Sequence, residues 1–250
     1  MAPHFVSNSS EAAPPKAAHA WPWWRAPNRL RTDWRGQRVW LIGASSGIGA
    51  ALATELVGRG ARVVLSARSE DALQDVAARA LKAASSAAEG ETLVVAFDAT
   101  EPDAWARARQ TVTSAWGGVD VLVMCAGAYT PMRAWDIDIT TMSHIIDVNL
   151  RSVYLGLQSN LSDFRARGNG AVVLVASVAG LVGLPNATVY GPTKAALINL
   201  AELLHSDERA AGIDVYLVNP GFVRTKLTEK NAFVMPALLT PEQAAQAMLA

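Results

Sequence analysis

Residues 38–57, RVWLIGASSGIGAALATELV, decide the fold, because they join an apolar run to an Ala-rich run through a glycine-rich turn. The run from Arg38 to Gly43 is too short for a buried helix, so it predicts a strand. The segment from Ile48 to Val57 predicts a helix that begins directly after the turn. The stretch therefore predicts a strand–turn–helix unit, the beginning of a βαβ crossover.

The same alternation continues along the chain. Short runs dominated by Val, Ile and Leu alternate with longer Ala-rich segments, the pattern of a parallel sheet that is covered on both faces. From residue 36 to residue 250 we therefore expect one three-layer, doubly wound α/β domain of the Rossmann type, with a mostly parallel sheet of six or seven strands. The predicted strands lie near Arg38–Gly43, Arg62–Ser66, Leu93–Phe97, Val119–Cys125, Ala171–Ser177 and Ile213–Val218. The predicted helices cover Ile48–Val57, Ala72–Ala87, Ala104–Trp116, Met142–Ala166, Ala187–Ala211 and a segment that begins at Thr240.

Both ends of the chain depart from this pattern. Residues 1–35 lack periodicity, and we expect them to form a mobile N-terminal extension. The sequence stops within the helical pattern that begins at Thr240, so we expect either a truncated C-terminus or a partner that covers the open edge. The alternative for the extension is that its tryptophans pin it to the domain or to a second subunit: Trp21, Trp23, Trp24 and Trp34.

Composition argues against several classes of partner. The 22 basic and 22 acidic residues balance, so no net field would attract nucleic acid or an anionic membrane. The longest nearly apolar run, Ala171–Pro185, is too short to span a bilayer. The single cysteine, Cys125, allows no internal disulfide, which fits the cytoplasm, and we interpret it as a core residue. The four histidines show no metal-ligand spacing, so no metal is expected.

The glycine-rich turn is the first candidate binding site. Its glycines let the backbone turn sharply and approach a pyrophosphate, whose charge is then held by NH groups at the helix N-terminus. A plain βα turn is the alternative, but the strand–turn–helix context favours a dinucleotide site. The candidate residues are Gly43, Ser45, Ser46, Gly47, Ile48 and Gly49.

The end of the second strand bears on which dinucleotide binds. An acidic residue there would accept hydrogen bonds from the ribose 2′-hydroxyl, but the sequence reads Ala67-Arg68. A guanidinium suits a 2′-phosphate, so Arg68 favours NADP(H) over NAD(H). Alternatively, Arg68 pairs with Glu70 or Asp71. Asp98, which follows the third strand, could accept from the adenine amino group or cap the helix that begins near Glu101.

Four polar residues outside the turn form a candidate catalytic group. Tyr190 and Lys194 are four residues apart, which places them on one face of a helix about one turn apart. Ser177 ends the fifth predicted strand, at the sheet edge where ligands of such folds bind. Asn149 lies inside a predicted helix, where its side chain must find a partner. The alternatives are an exposed helix start for Tyr190 and Lys194, a turn residue for Ser177 and a solvated face for Asn149.

Together with the glycine-rich turn, these residues resemble the short-chain dehydrogenase/reductase family from about Arg38 to Thr225. The family's glycine motif, Thr-Gly-x-x-x-Gly-x-Gly, falls on residues 42–49 with Ile42 in place of Thr. Its Asn-Asn-Ala-Gly motif reads Met124-Cys125-Ala126-Gly127. These two departures remove side-chain hydrogen bonds that tie down the central sheet. The family's Asn, Ser, Tyr-x-x-x-Lys and Pro-Gly motifs fall on Asn149, Ser177, Tyr190 with Lys194, and Pro220 with Gly221.

The resemblance implies hydride transfer between a nicotinamide and a carbonyl or alcohol group. Tyr190 would act as general acid or base, and the Lys194 ammonium and the nicotinamide charge would lower the tyrosine pKa. Lys194 would also hold the nicotinamide ribose, and Ser177 would donate a hydrogen bond to the substrate oxygen. Asn149 would hold a proton-relay water. The resemblance adds these cofactor contacts, in addition to Tyr190 and Lys194: Ala126, Gly127, Pro220, Gly221, Val223 and Thr225.

Substrate and assembly are expected from the remaining segments. Residues 128–138, 178–188 and 222–236 carry many apolar side chains, which favours a substrate with a hydrocarbon part, unless these side chains pack beneath the loops. The long helices around 142–166 and 195–204 form the dimer interface in the family, so we expect a homodimer or homotetramer. The alternatives to a reductase are a dinucleotide-binding regulator without hydride transfer and a lyase or epimerase on the same fold.

Overall fold

The computed structural model describes residues 28–84, 90–231 and 233–250. Its sheet has six parallel strands in the order β3-β2-β1-β4-β5-β6, so the strand order reverses between β1 and β4. The predicted doubly wound α/β fold is confirmed. The strands are β1 Arg38–Ile42, β2 Arg62–Ser66, β3 Glu91–Val94, β4 Val121–Met124, β5 Gly170–Val175 and β6 Ile213–Val218.

The described ranges contain seven α-helices, and six of them cover the two faces of this sheet. Helices α1, α2 and α7 bury side chains in the cluster on one face, and α3, α5 and α6 bury theirs on the other. The helices are α1 Gly47–Gly58, α2 Glu70–Ala83, α3 Pro102–Trp116, α4 Ile139–Ile146, α5 Ser152–Arg167, α6 Tyr190–Glu208 and α7 Pro241–Met248. None of the described helices is both long and apolar enough to cross a bilayer.

Strand β1 shows why the sheet is buried on both sides. Val39 and Leu41 pack in the cluster under α1, and Trp40 and Ile42 pack in the opposite cluster. All four side chains are at most 1% exposed. Complete burial of a side chain of this size contributes about 1.5 to 3 kcal/mol relative to exposure. Burial on both faces fixes β1 within the sheet. The glycine-rich turn that follows therefore lies at the carboxyl ends of the strands.

The predicted helix 142–166 is interrupted. Helix α4 ends at Ile146, residues Asp147–Arg151 form a wider π-helical turn, and α5 begins at Ser152. The extra residue in such a turn changes the direction of the side chains that follow, and such turns are frequent at functional sites. Asn149 lies within this turn and is 1% exposed, so its predicted position inside a regular helix is corrected.

The third and fifth predicted strands also end early. Strand β3 ends at Val94 instead of Phe97, although the amides of Val95 and Phe97 still donate to the carbonyls of β2 and of Ala67. Strand β5 ends at Val175, so Ser177 lies two residues beyond the strand and not at its end. The Ser177 hydroxyl accepts from the Ala179 amide at 3.1 Å and caps a short 3-10 turn.

Residues 28–35, which we assigned to the extension, pack on the domain. The Asn28 amide group pairs with both backbone groups of Val215 on β6, at 2.5 and 3.1 Å. Arg29 binds the fully buried Asp214 carboxylate through its Nε atom at 2.7 Å. Trp34 is 8% exposed and packs in the cluster under α1. The body of the domain therefore begins earlier than Gly36, whereas Trp21, Trp23 and Trp24 lie outside the described residues.

Candidate active site

A cleft of about 360 Å³ opens at the carboxyl ends of the strands, on both sides of the point where the strand order reverses. This is where ligands of open α/β sheets bind. The structure brings together at this cleft every residue that the sequence suggested for cofactor or catalysis, except Asn149. These residues are Gly43, Ser45, Ser46, Gly47, Ile48, Gly49, Arg68, Asp98, Ala126, Gly127, Ser177, Tyr190, Lys194, Pro220, Gly221, Val223 and Thr225.

The glycine-rich turn forms a cradle at the start of α1. Gly43 has φ of 92°, and a Cβ there would lie 2.6 Å from the Ala126 backbone. A Cβ at Gly49 would lie 2.1 Å from the Gly43 carbonyl oxygen. Ser46 is the N-cap residue, but its side chain makes no capping hydrogen bond, so the first amides of α1 keep their donors for another acceptor. Uncapped amides, and glycines that leave the backbone open to close approach, fit a pyrophosphate.

Main-chain hydrogen bonds connect the strands where the chain departs from the family's motifs, at Ile42 and Cys125. The amides of Gly43 and Ala44 both donate to the Ser66 carbonyl, and the Cys125 amide donates to the Ile42 carbonyl at 2.9 Å. Main-chain bonds therefore hold the end of β1 to β2 and β4. Burial raises the pKa of the Cys125 thiol to about 11, so this thiol stays protonated and is a poor nucleophile.

Arg68 and Asp98 mark the other end of the cleft. Within the described ranges, Arg68 forms no ion pair within 4.0 Å of Glu70 or Asp71, contrary to the alternative considered above. Asp98 accepts from the amide and hydroxyl of Thr100 at 2.9 and 2.8 Å. Burial alone would raise the pKa of Asp98, but these hydrogen bonds and the Arg68 charge lower it overall. Asp98 does not cap α3, because that helix begins at Pro102 with Glu101 as its N-cap.

Tyr190 and Lys194 lie one turn apart at the start of α6, as predicted. The Lys194 ammonium lies 5.6 Å from the centre of the Tyr190 ring. It donates to the Val175 carbonyl at 2.9 Å, which fixes the lysine against the end of β5. Lys194 is only 4% exposed, and burial lowers its pKa to about 8. The exposed-helix alternative for this pair is therefore wrong.

The pKa of Tyr190 differs from the expectation. Burial raises it, and a hydrogen bond with the Ser177 hydroxyl offsets part of that effect, so the phenol is protonated at neutral pH. The Lys194 ammonium donates to the Val175 carbonyl and not to the phenol. We predicted that the Lys194 ammonium and the nicotinamide charge lower the Tyr190 pKa. Lys194 alone does not lower it.

Asn149 lies outside the cleft lining and stabilises the cleft from the interior of the domain. Its Oδ1 atom accepts from the Ala128 amide at 2.7 Å, and its Nδ2 atom donates to the Ala128 carbonyl and to Thr193 Oγ1 at 3.0 and 3.1 Å. The solvated-face alternative is wrong, because this amide is buried and bonded. Asn149 thereby ties the π-helical turn to the loop after β4 and to α6.

Several residues at or beside the cleft were not predicted as individual site residues, although the segments 128–138 and 222–236 were expected to shape substrate binding. His144 and Val148 reach the cleft from α4 and the π-helical turn, and residues 226–228 reach it from the loop after β6. Tyr129 packs edge-to-face on Tyr190, with ring centres 5.2 Å apart. Their spacing matches no binding motif, and only the packing of the α4 region and the last loop brings them to the site.

Lys194→Met should remove part of the rise in the protein's free energy of unfolding that is expected between pH 7 and pH 10. The native pKa of Lys194, about 8, lies below its ordinary value of 10.5. Between these two values the unfolded chain binds more protons, so native stability rises with pH. Relative to wild type, the variant's free energy of unfolding should fall by about 2 to 3 kcal/mol between pH 7 and pH 10.

Urea unfolding at several pH values measures this difference, and Lys82→Met is the matched control because Lys82 is an exposed lysine on α2. The control should show no such trend. A Lys194→Met variant whose stability runs parallel to wild type from pH 7 to pH 10 would contradict the lowered pKa.

Comparisons with known proteins agree with this geometry. The sequence profile of the short chain dehydrogenases matches residues 37–233. An uncharacterized oxidoreductase of Staphylococcus haemolyticus is 30% identical over 218 residues, which cover 87% of this chain and 91% of the relative. A short-chain type dehydrogenase/reductase from Mycobacterium marinum superposes with a TM-score of 0.79 and 28% identity, over 87% of this chain and 89% of that one. A structure described as ribose-5-phosphate isomerase from Brucella melitensis gives a TM-score of 0.76 with 28% identity, over 87% and 86%. The chain therefore belongs to the short-chain dehydrogenase/reductase family and is an oxidoreductase that acts on CH–OH groups with NAD(P).

Proposed function

We propose that this protein is an NADP(H)-dependent carbonyl reductase or alcohol dehydrogenase, with Tyr190 as the general acid or base. The observation that carries the proposal is the arrangement of the cleft. Ser177, Tyr190 and Lys194 line it together with Arg68, which follows β2 where no acidic residue stands. A guanidinium favours a 2′-phosphate, and an acidic residue would repel it.

In the reduction direction, Tyr190 donates its proton to the substrate oxygen. The phenol is protonated at neutral pH because burial raises its pKa. The Ser177 hydroxyl, which hydrogen bonds with Tyr190, would donate to the same oxygen and stabilise the charge that develops there. When bound, NADPH supplies the hydride. Lys194 holds a positive charge one helical turn from the phenol, which would stabilise the phenolate that proton donation leaves on Tyr190.

The cofactor would be held along the whole cleft. The uncapped amides at the start of α1 would bind the pyrophosphate, and Asp98 would accept from the adenine amino group. Lys194 would bind the nicotinamide ribose, while the loop after β6 would contact the nicotinamide. The residues proposed for that loop are Pro220, Gly221, Val223 and Thr225, and Ala126 and Gly127 line the opposite wall. The proton-relay water at Asn149 stays a prediction, because both amide hydrogens of Asn149 bond to protein groups.

We propose a substrate with a hydrocarbon part. Leu181 and Val182 are 64% and 63% exposed on the turn after Ser177, and Phe233 is 50% exposed after β6. Phe222 and Phe233 pack edge-to-face with ring centres 5.6 Å apart, so they form one apolar surface. Exposed apolar side chains on the segments that follow Ser177 and β6 favour an apolar ligand over a sugar or a charged acid.

We also propose a homodimer or homotetramer in the cytoplasm. Tyr154 on α5 and Leu203 on α6 are each 52% exposed, and both belong to the helices that form the dimer interface in the family. Large exposed apolar side chains on two long helices favour burial against a second copy. The single cysteine fits a reducing compartment.

Incubation of the protein with NADPH and a panel of ketones and aldehydes tests the proposed function. Loss of the reduced cofactor's absorbance, together with an equal amount of alcohol, supports it. A dinucleotide-binding regulator would bind NADPH without consuming it. A lyase, epimerase or isomerase would convert its substrate without net consumption, and the fold similarity to a protein described as an isomerase makes this comparison necessary.

A further inference from the structure

Tyr129 contacts the catalytic phenol but has no role in the reaction as proposed so far. Its ring packs edge-to-face on Tyr190, with ring centres 5.2 Å apart and an angle of 68° between the ring planes. The preceding residue, Ala128, is held by both side-chain groups of the buried Asn149. The backbone beside Tyr129 is therefore fixed from the interior of the domain, and its ring is a firm support for Tyr190.

The same tyrosine is bonded to residues 224–231, which we call the lid segment. This segment lines the cleft through Thr225, Lys226, Leu227 and Thr228. The Tyr129 hydroxyl donates to Asn231 Oδ1 at 3.3 Å, and the Lys230 ammonium donates to the Tyr129 carbonyl at 2.7 Å. Tyr129 thus joins the loop after β4 to the lid segment, and its own ring contacts the reacting phenol.

We propose that Tyr129 is a positioning residue, which supports the Tyr190 ring and holds the lid segment over it through Asn231 and Lys230. The proposal rests on the proposed function only in treating Tyr190 as the reacting phenol. The two bonds lie near the surface and are of ordinary length. They therefore stabilise the closed position of the lid segment only modestly. Loss of one such bond should change the population of the open lid about threefold to tenfold.

Limited trypsin digestion tests the link between Tyr129 and the lid without requiring turnover. The lid segment contains Arg224, Lys226 and Lys230, and cleavage after them tracks the open population when opening is fast. Tyr129→Phe should be cleaved there about threefold to tenfold faster than wild type. Asn231→Ala should show a similar increase, and the double variant should show little more, because both remove the same bond.

Kinetic constants separate the two roles assigned to Tyr129. Tyr129→Phe keeps the ring, so it should raise KM about threefold to tenfold and leave kcat within about twofold. Tyr129→Ala removes the ring as well, so it should also lower kcat. Ser114→Ala, which removes an exposed hydroxyl on α3, is the control and should change neither cleavage nor kinetics.

Equal cleavage rates for wild type, Tyr129→Phe and Asn231→Ala would overturn the proposal, and so would additive effects in the double variant. A purely structural role would instead lower the unfolding midpoint of Tyr129→Ala without faster cleavage of the lid in Tyr129→Phe. If wild type consumes no NADPH with any carbonyl compound, the proposed function fails, and the digestion still decides whether Tyr129 holds the lid.

Discussion

Tyr190→Phe is expected to lower the turnover of a carbonyl substrate by about 10² to 10⁴, the usual contribution of a general acid. The substitution removes one hydroxyl and keeps the ring that packs against Tyr129. Because burial raises the pKa of this phenol, its proton is present at neutral pH and available to the substrate oxygen. The measurement is the initial rate of NADPH oxidation at saturating substrate.

Two controls make this result specific. Ser114→Ala removes an exposed hydroxyl on α3 and should leave turnover unchanged. Titration of Tyr190→Phe with NADPH, followed by fluorescence, should show binding within a few-fold of wild type, because the pyrophosphate cradle and Arg68 are untouched. If Tyr190→Phe keeps more than about a tenth of wild-type turnover, the assignment of the general acid is wrong.

Arg68→Asp is expected to lower the preference for NADPH over NADH by about 10²-fold, measured as the ratio of the two kcat/KM values. The change removes a guanidinium that can bind a phosphate through two charge-assisted hydrogen bonds, and it adds a carboxylate that repels the 2′-phosphate. The same carboxylate can accept from the 2′-hydroxyl of NADH. Arg68 is exposed at the cleft, so the substitution should leave the fold intact.

Arg79→Asp makes the same charge change at an exposed position of α2 and serves as the control. Its ratio of kcat/KM values should match wild type. A preference for NADPH that survives in Arg68→Asp would show that another group recognises the phosphate, and the proposed cofactor assignment would have to be abandoned.

The order and type of the main elements could be predicted from the sequence because each strand is a short apolar run. Strand β1, with Val39 and Leu41 on one face and Trp40 and Ile42 on the other, is such a case. The π-helical turn at 147–151 could not be predicted, since it is stabilised by tertiary hydrogen bonds of Asn149 and not by local preference. Docking of residues 28–35 was also missed, because the partner of Arg29 is a distant buried residue, Asp214.

The candidate site, like the fold, could be predicted only in part from the sequence. The glycine-rich turn and the Tyr190–Lys194 pair follow from local spacing, which a helix converts directly into proximity. The direction of the Tyr190 pKa shift did not follow, because it depends on how deeply the folded domain buries the phenol. Tyr129 carries no motif, and its place beside Tyr190 results from the anchoring of Ala128 by Asn149.

Transfer of deuterium from NADPH labelled with deuterium at both C4 positions of the nicotinamide tests the central claim most directly. The wild-type protein should convert a ketone into an alcohol that carries one deuterium on its carbinol carbon, as seen by mass spectrometry, and Tyr190→Phe should form this product far more slowly. An alcohol without the label, or substrate conversion with no loss of labelled NADPH, would contradict direct hydride transfer at this site.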